Sequence, residues 1–211
     1  VRVDWGFSTN NDILVLGNGT NATQQLDGTT LSAITGAPAA KYFATIYGQT
    51  FAAGSAAFPN TVYYCVQYDP TAWASTGSGS FLVGPEGGPI TGLAIHKTDL
   101  LIFKRSSIYI LRGADVVAGQ LDLMELNVGC VWPRTLAQYD SQIYFVSTWG
   151  VHTLTDSLNL ISDPIKTDLE LDPTMAKTCG FLTGYDYGLS ILDPAGTKTN
   201  FFVYDKAFSH W

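Results

Sequence analysis

The sequence predicts an all-β chain, a β-propeller of about five four-stranded blades with one short helix near 163–171. Three observations carry that prediction. Composition is the first: the 211 residues are 46% hydrophobic, 13% aromatic and only 14% charged, with 21 glycines, a balance that fills a core and favours short strands joined by tight turns. The second is a pair of runs, "LLIF" at 100–103 and "IYIL" at 108–111, which are apolar on both faces of any strand and so need sheet neighbours on both sides. The third is that this hairpin recurs.

It returns as "IYFV" and "VHTL" flanking Ser147 to Gly150, and as "LSIL" and "FFVY" around the turn Asp193-Pro194-Ala195-Gly196, a strong turn signal. Looser copies are "NNDILVLGNGTNATQQL" and the pair "TFAAG" and "TVYYC". The first strands start near Ile13, Thr50, Leu100, Ile143 and Leu189, so successive starts differ by 37, 50, 43 and 46 positions. That spacing is the length of one four-stranded blade. Further strand candidates at 29–35, 79–84, 120–126 and 159–162 are assigned as outer blade strands. A β-sandwich also yields regular hairpins, but two-sided burial of the inner hairpin suits sheets stacked radially better than two layers.

The opening "VRVDWGF" and the closing "FFVYDKAFSHW" are expected to pair and close the ring, which would remove exposed sheet edges. Ser162 as N-cap, Pro164 in the first turn and Pro173 as breaker predict a helix from Asp163 to Leu171. The chain is read as a single domain, 1–211, and its start at Val1 fits a segment of a longer polypeptide.

A net charge of -7 with 11 scattered basic residues argues against a nucleic-acid surface, which needs clustered Lys and Arg. No run approaches the roughly 18 apolar residues of a membrane helix, and no signal peptide opens the chain, so no membrane anchor is expected. Cys65, Cys130 and Cys179 are too far apart in sequence for a CxxC pair and read as buried free thiols.

The run "ITGLAIHKTDLLIFKRSSIYILRG", preceded by "VYYCVQYDPTAWAS" and "FLVGPEGGP" and followed by "NVGCVWPRTLAQYDSQIYFVSTWGVHTL" and "LISDPI", resembles the β-propeller of tailed-bacteriophage virion proteins found in tail nozzle, hub and stabilisation components. A blade of that family has a Tyr-rich strand ending in Asp-Pro and Trp, matched by Tyr68, Asp69, Pro70 and Trp73. Its hairpin is matched by Leu100 to Lys104 and Ser107 to Gly113, its aromatic-Gly-Val by Trp149, Gly150 and Val151, and its ending by Val203 to Asp205 and Trp211. The resemblance covers roughly residues 41 to 211, while 1 to 40 match poorly. It implies a structural virion component, made in the host bacterial cytoplasm and assembled into the tail. Its partners would be other tail proteins, in a symmetric homo-oligomer. The structural or interface candidates are Trp73, Lys104, Arg105, Trp149, Gly150 and Trp211.

The same residues include candidates for chemistry. Asp4, Asp99, Asp140 and Asp186 sit at or near hairpin starts and Glu125 lies on an outer strand, and five-bladed propellers that hydrolyse glycosides need such carboxylates to converge. Their recurrence at one repeat position reads instead as turn formation. His96, His152 and His210 are dispersed, and neither HExxH nor GxSxG occurs, so no catalytic residue, metal or cofactor is expected and the chain is not read as an enzyme. Trp73, Trp132, Trp149 and Trp211 are either blade anchors or stacking platforms for sugar rings, the first being favoured. Lys104, Arg105 and Arg112 read as a solvated turn. The two sequons in "GNGTNAT" read first as a turn. The alternative function is a carbohydrate-binding or glycoside-hydrolase-like propeller acting at the host surface.

Overall fold

The computed structural model describes residues 5–117, 119–166, 169, 178–184, 186–192 and 199–211. Among them, nineteen strands form five antiparallel sheets in chain order. Blade 1 is β1 (Gly6–Asn10), β2 (Ile13–Gly17), β3 (Gln24–Asp27) and β4 (Thr30–Ala33). Blade 2 is β5 (Tyr42–Ile46), β6 (Gln49–Ala53), β7 (Thr61–Tyr64) and β8 (Gly79–Leu82). Blade 3 is β9 (Ile90–His96), β10 (Asp99–Lys104), β11 (Ser107–Leu111) and β12 (Leu121–Leu126). Blade 4 is β13 (Ala137–Tyr139), β14 (Gln142–Ser147), β15 (Gly150–Leu154) and β16 (Leu158–Leu160). Blade 5 has three described strands, β17 (Cys179–Thr183), β18 (Asp186–Leu192) and β19 (Thr199–Tyr204). The fold class and the blade number match the sequence reading, and β4, β8, β12 and β16 fall where outer strands were expected.

Each blade follows one frame. A two-residue turn joins its first and second strands, and the first turn residue has positive φ in every case: Asn11, Tyr47, Lys97, Asp140 and Gly184. Such turns match the right-handed twist of the strands they join. The second strands begin at Ile13, Gln49, Asp99, Gln142 and Asp186, at intervals of 36, 50, 43 and 44 residues.

The apolar hairpins of the sequence are therefore the second and third strands of their sheets, not the innermost pair. The innermost position belongs to the first strands, with β1 beside β5, β5 beside β9 and β13 beside β17. Alternation explains the two-sided apolar runs. Leu100 and Ile102 enter a core shared with Ala44, Phe51 and Val62 of blade 2, whereas Leu101 and Phe103 enter one shared with Ile143 and Phe145 of blade 4.

Four such cores exist among the described residues, one per joint between consecutive blades. Phe43 closes the first joint against glycine, since a methyl group on Gly17 would lie 2.9 Å from its Cζ. Phe103 and Phe145 meet at 5.0 Å in the third. In the fourth, Tyr144 and Tyr187 stack at 4.8 Å with an interplanar angle of 6°.

The expected ring closure falls on a stretch that is only partly described. Residue 4 and those before it lie outside the described set; from Gly6 on, β1 pairs with β2 and β19 pairs with β18. No core joins blade 1 to blade 5 among the described residues. Of the expected helix, the described residues form a 3-10 turn at Asp163–Ile165. The Ser162 hydroxyl does not cap it, because it accepts the Val151 N–H at 3.0 Å and so serves the neighbouring strand. One further helical bond runs from Leu169 N to Ile165 O at 3.0 Å; positions 167–168 and 170–171, like the turn Asp193-Pro194-Ala195-Gly196, lie outside the described residues.

Candidate functional site: the hairpin-turn face

The five positive-φ turns share one face of the molecule with the loops that lead to the fourth strands. On that face five carboxylates accept main-chain N–H groups. Asp99 Oδ1 accepts Gly113 N at 2.7 Å, Asp69 Oδ1 accepts Thr71 N at 3.0 Å and Asp115 Oδ1 accepts Val117 N at 2.8 Å. Asp186 Oδ1 accepts Lys206 N at 3.4 Å, and Asp205 Oδ1 accepts Ala207 N at 2.8 Å and Phe208 N at 3.1 Å. Each bond tightens a turn that lacks strand partners. Asp140 is itself a turn residue with φ 55°, and Glu125 lies on β12 opposite Ile108. Asp4 lies outside the described residues. Of the three expected turn formers, Asp140 lies in a turn, while Asp99 and Asp186 are the first residues of β10 and β18 and hold distant loops rather than their own turns.

What the face presents outward is aromatic and apolar. Tyr47 and Tyr68 stand out, the Tyr68 ring lying over Gly48, where an added methyl would come within 2.2 Å of Cδ1. Asn11 Nδ2 and Gln67 Nε2 hold this platform through the Tyr68 and Tyr47 carbonyls at 3.5 and 2.7 Å. Beside it a cleft of about 500 Å³ runs between blades 2 and 3, lined by Ile46, Tyr47, Val66, Ala114 and Val116, with exposed Val117 at its edge. A second cleft of about 360 Å³, between blades 4 and 5, is lined by Tyr139, Asp140, Gln142 and Lys206, and the Lys206 ammonium sits 5.7 Å from the Tyr139 ring centroid. Between the clefts, Lys97 pairs with Asp156 at 2.5 Å, tying blade 3 to blade 4.

The six residues nominated from sequence are not brought together. Trp73 is buried in the first joint, its Nε1 donating to Pro70 O at 2.7 Å. Trp132 is buried in the fourth joint, and Trp211 donates Nε1 to Ile161 O at 2.6 Å, fastening the end of blade 5 to blade 4. These three tryptophans are anchors. Trp149 alone among the four candidates is exposed, on the opposite face, with Nε1 bonded to Asn127 O at 2.9 Å. Gly150 is a packing glycine: its φ is 140°, and an added methyl would meet Ser162 Oγ at 2.1 Å.

Lys104 corrects the solvated-turn reading. It is fully buried at the end of β10, donating Nζ to Gly84 O, 5.6 Å from the Tyr109 ring centroid. Burial holds its ammonium below the ordinary lysine value, and the nearby Glu86 opposes that shift. Glu86 in turn accepts the Tyr109 hydroxyl at 2.5 Å, which lowers its own carboxyl. Arg105 and Ser106 are the exposed residues of the turn, and Arg112 pairs with Asp122 at 3.1 Å.

No group of three or more His, Cys, Asp or Glu able to hold a metal ion occurs among the described residues. His152 is buried 5.4 Å from the Phe145 ring, and burial pushes its pKa down. The residues that sequence reasoning missed are Tyr47, Tyr68 and Tyr139. Their signal was present as tyrosine followed at once by a turn residue, in Tyr47-Gly48, Tyr68-Asp69 and Tyr139-Asp140.

No protein-family model and no curated protein sequence matches the chain. Solved structures do match. The computationally designed Ika8 protein superposes on 96% of this chain and 58% of its own, at 14% identity and a TM-score of 0.54. The CNH domain of AfRom2 covers 95% of this chain and 67% of its own, at 9% identity and TM-score 0.55. Hsv2p of Kluyveromyces lactis covers 92% and 65%, at 9% identity and TM-score 0.51. The fold is a β-propeller. At these identities the likeness extends to the fold alone, and the propeller described here spans between 58% and 67% of the length of these three structures. None of the three is a bacteriophage tail protein.

Proposed function

We propose that this propeller is a structural assembly module of a bacteriophage virion tail, a nozzle-, hub- or connector-type component that holds neighbouring tail proteins through its loops. The observation that carries the assembly reading is the division of labour on the hairpin-turn face. Five acids there accept main-chain N–H groups, while Tyr47, Tyr68 and Val117 project into solvent. Aromatic and aliphatic side chains on a rigid polar rim are the composition of a protein-contact surface. Four packed joints supply the rigidity, so a partner meets a surface that needs little reordering on binding. The virion assignment rests on the resemblance carried by Tyr68 to Trp73, Leu100 to Gly113, Trp149 to Val151 and Val203 to Trp211. Mass spectrometry of purified particles tests it: the chain is expected at tail stoichiometry, with no depolymerisation of host polysaccharide by the isolated protein. Absence from particles, or hydrolysis lost in Asp140→Ala while the fold survives, overturns it.

A further inference from the structure

Among the described residues, three tyrosines hold a lysine ammonium over the ring. Lys41 sits 5.7 Å from the Tyr42 ring centroid, Lys104 5.6 Å from that of Tyr109 and Lys206 5.7 Å from that of Tyr139. Tyr47 and Tyr68, the most exposed described tyrosines at 52% and 66%, have no such cation among the described residues. A tyrosine face attracts a cation through its ring quadrupole, so an uncovered ring is a place for a partner's cation. The two rings are fixed to one another. Tyr68 N donates to Gly48 O at 2.6 Å, Gln67 Nε2 donates to Tyr47 O at 2.7 Å, and the Tyr68 ring packs on Gly48, where only glycine leaves room.

Carboxylates stand around this platform. Asp12 is the second residue of the turn whose Asn11 amide holds Tyr68 O, Asp69 follows Tyr68, and Asp115 lines the cleft beside them. Asp99 reaches the same cleft through Gly113 N. Asp12 makes no hydrogen bond or ion pair among the described residues, and the bonds of Asp69 to its own loop use Oδ1 alone. Positive charge lies elsewhere. Lys41, Lys104 and Arg105 are at the strand ends of the opposite face, while Lys97 and Arg112 are paired with Asp156 and Asp122. The floor between the acids is aliphatic, made by Ile46, Val66, Ala114 and Val116 in a cleft of about 500 Å³. Acids around an aliphatic floor, with open tyrosine rings at the edge, complement a segment whose aliphatic anchor is flanked by basic residues, whose long stems reach the rim.

We infer that the cleft between blades 2 and 3 docks a basic segment of a partner protein, an aliphatic side chain entering between Ile46 and Ala114 while a flanking arginine or lysine lies over Tyr68 beside Asp12 and Asp69. This rests on the reading of the hairpin-turn face as a protein-contact surface, and it adds the sign of the partner's charge. Each exposed contact is modest, since a cation over an open ring or an ion pair at a rim changes affinity only about 2- to 5-fold. Several together set the preference for a basic partner.

Titration of the 211-residue protein with the peptide Gly-Arg-Leu-Arg-Gly, followed by NMR chemical shifts, tests it against Gly-Gln-Leu-Gln-Gly and Gly-Glu-Leu-Glu-Gly, all capped at both ends. The arginine peptide is expected to bind with a Kd below about 1 mM, at least about 5-fold tighter than either counterpart, and to weaken as salt rises from about 0.05 to 0.5 M. Tyr68→Asn removes the ring and suits the positive φ of 62° at that position, and it should weaken the arginine peptide about 2- to 5-fold. Asp12→Asn combined with Asp69→Asn should do the same while keeping the acceptor for Thr71 N, and this pair serves alone if Tyr68→Asn misfolds. Trp149→Ala, on the opposite face, should change nothing, which separates docking from attraction to the net charge of -7. Equal binding of the three peptides overturns the inference and leaves the contact reading of the face standing. No binding of the arginine peptide to about 1 mM, or equal weakening by Trp149→Ala, also overturns it. A bound arginine peptide with the chain absent from purified particles keeps the docking site and removes the virion assignment.

Discussion

The stacked pair Tyr144 and Tyr187 yields a prediction with opposite signs for two chemically identical substitutions. Both rings are fully buried and lie 4.8 Å apart. The Tyr187 hydroxyl donates to Thr135 O at 2.9 Å, across 52 residues of sequence, whereas the Tyr144 hydroxyl is buried without a hydrogen-bond partner. Replacing Tyr187 by Phe keeps the stack but orphans a buried carbonyl, costing about 1–2 kcal/mol. Replacing Tyr144 by Phe removes a buried polar group that gains nothing from the fold, and stabilises by about 1 kcal/mol. For a domain of this size 1 kcal/mol moves the unfolding midpoint by roughly 2–4 °C. Differential scanning calorimetry should therefore place Tyr144→Phe above wild type and Tyr187→Phe below it. If Tyr144→Phe falls as far as Tyr187→Phe, the Tyr144 hydroxyl has a partner and the reasoning fails.

Two further expectations follow from buried acids and thiols. Burial pushes Tyr109, Tyr144 and Cys130 up to about 12, and Tyr187 well above the ordinary tyrosine value. The native state thus holds these protons more tightly than the unfolded chain, whose thiols and phenols titrate near 9 and 10. Stability from these groups is complete below those values and is lost as pH rises from about 9 through 12; urea midpoints measured from pH 8 to 11 should fall, and a flat profile would contradict it. The three thiols should also separate by reactivity. Cys65 and Cys130 are buried and Cys179 is half-buried, so a thiol reagent at neutral pH should modify one cysteine in the native protein and three after denaturation, and fast modification of more than one would contradict the joints as described.

Local chemistry made the middle of each blade legible. Hairpins such as the one from Asp99 to Leu111 announce themselves because both faces are buried by neighbours, and the turn residues between first and second strands carry their own signal. The outer strands were placed by spacing. What the sequence hid depends on contacts between distant blades. First strands such as β13, three residues with half-buried Ala137 and exposed Gln138 and Tyr139, and β1, which alternates half-buried and exposed residues, carry little pattern of their own. Lys104 reads as a turn residue by charge, yet Gly84 and Tyr109 enclose it. Ser162 reads as a helix cap until Val151 claims its hydroxyl. In the candidate site, only Asp140 is the turn residue its sequence position suggests, while Asp99 and Asp186 reach loops 14 and 20 residues away and a tyrosine next to a turn has no single expected fate.

The four cores run in series, and that order sets how the molecule comes apart. Among the described residues blades 2, 3 and 4 each share two cores with their neighbours, so none of the three can leave without breaking two contact layers. Blade 3, fully buried along β11, gives up its hydrogen bonds only when two such layers open.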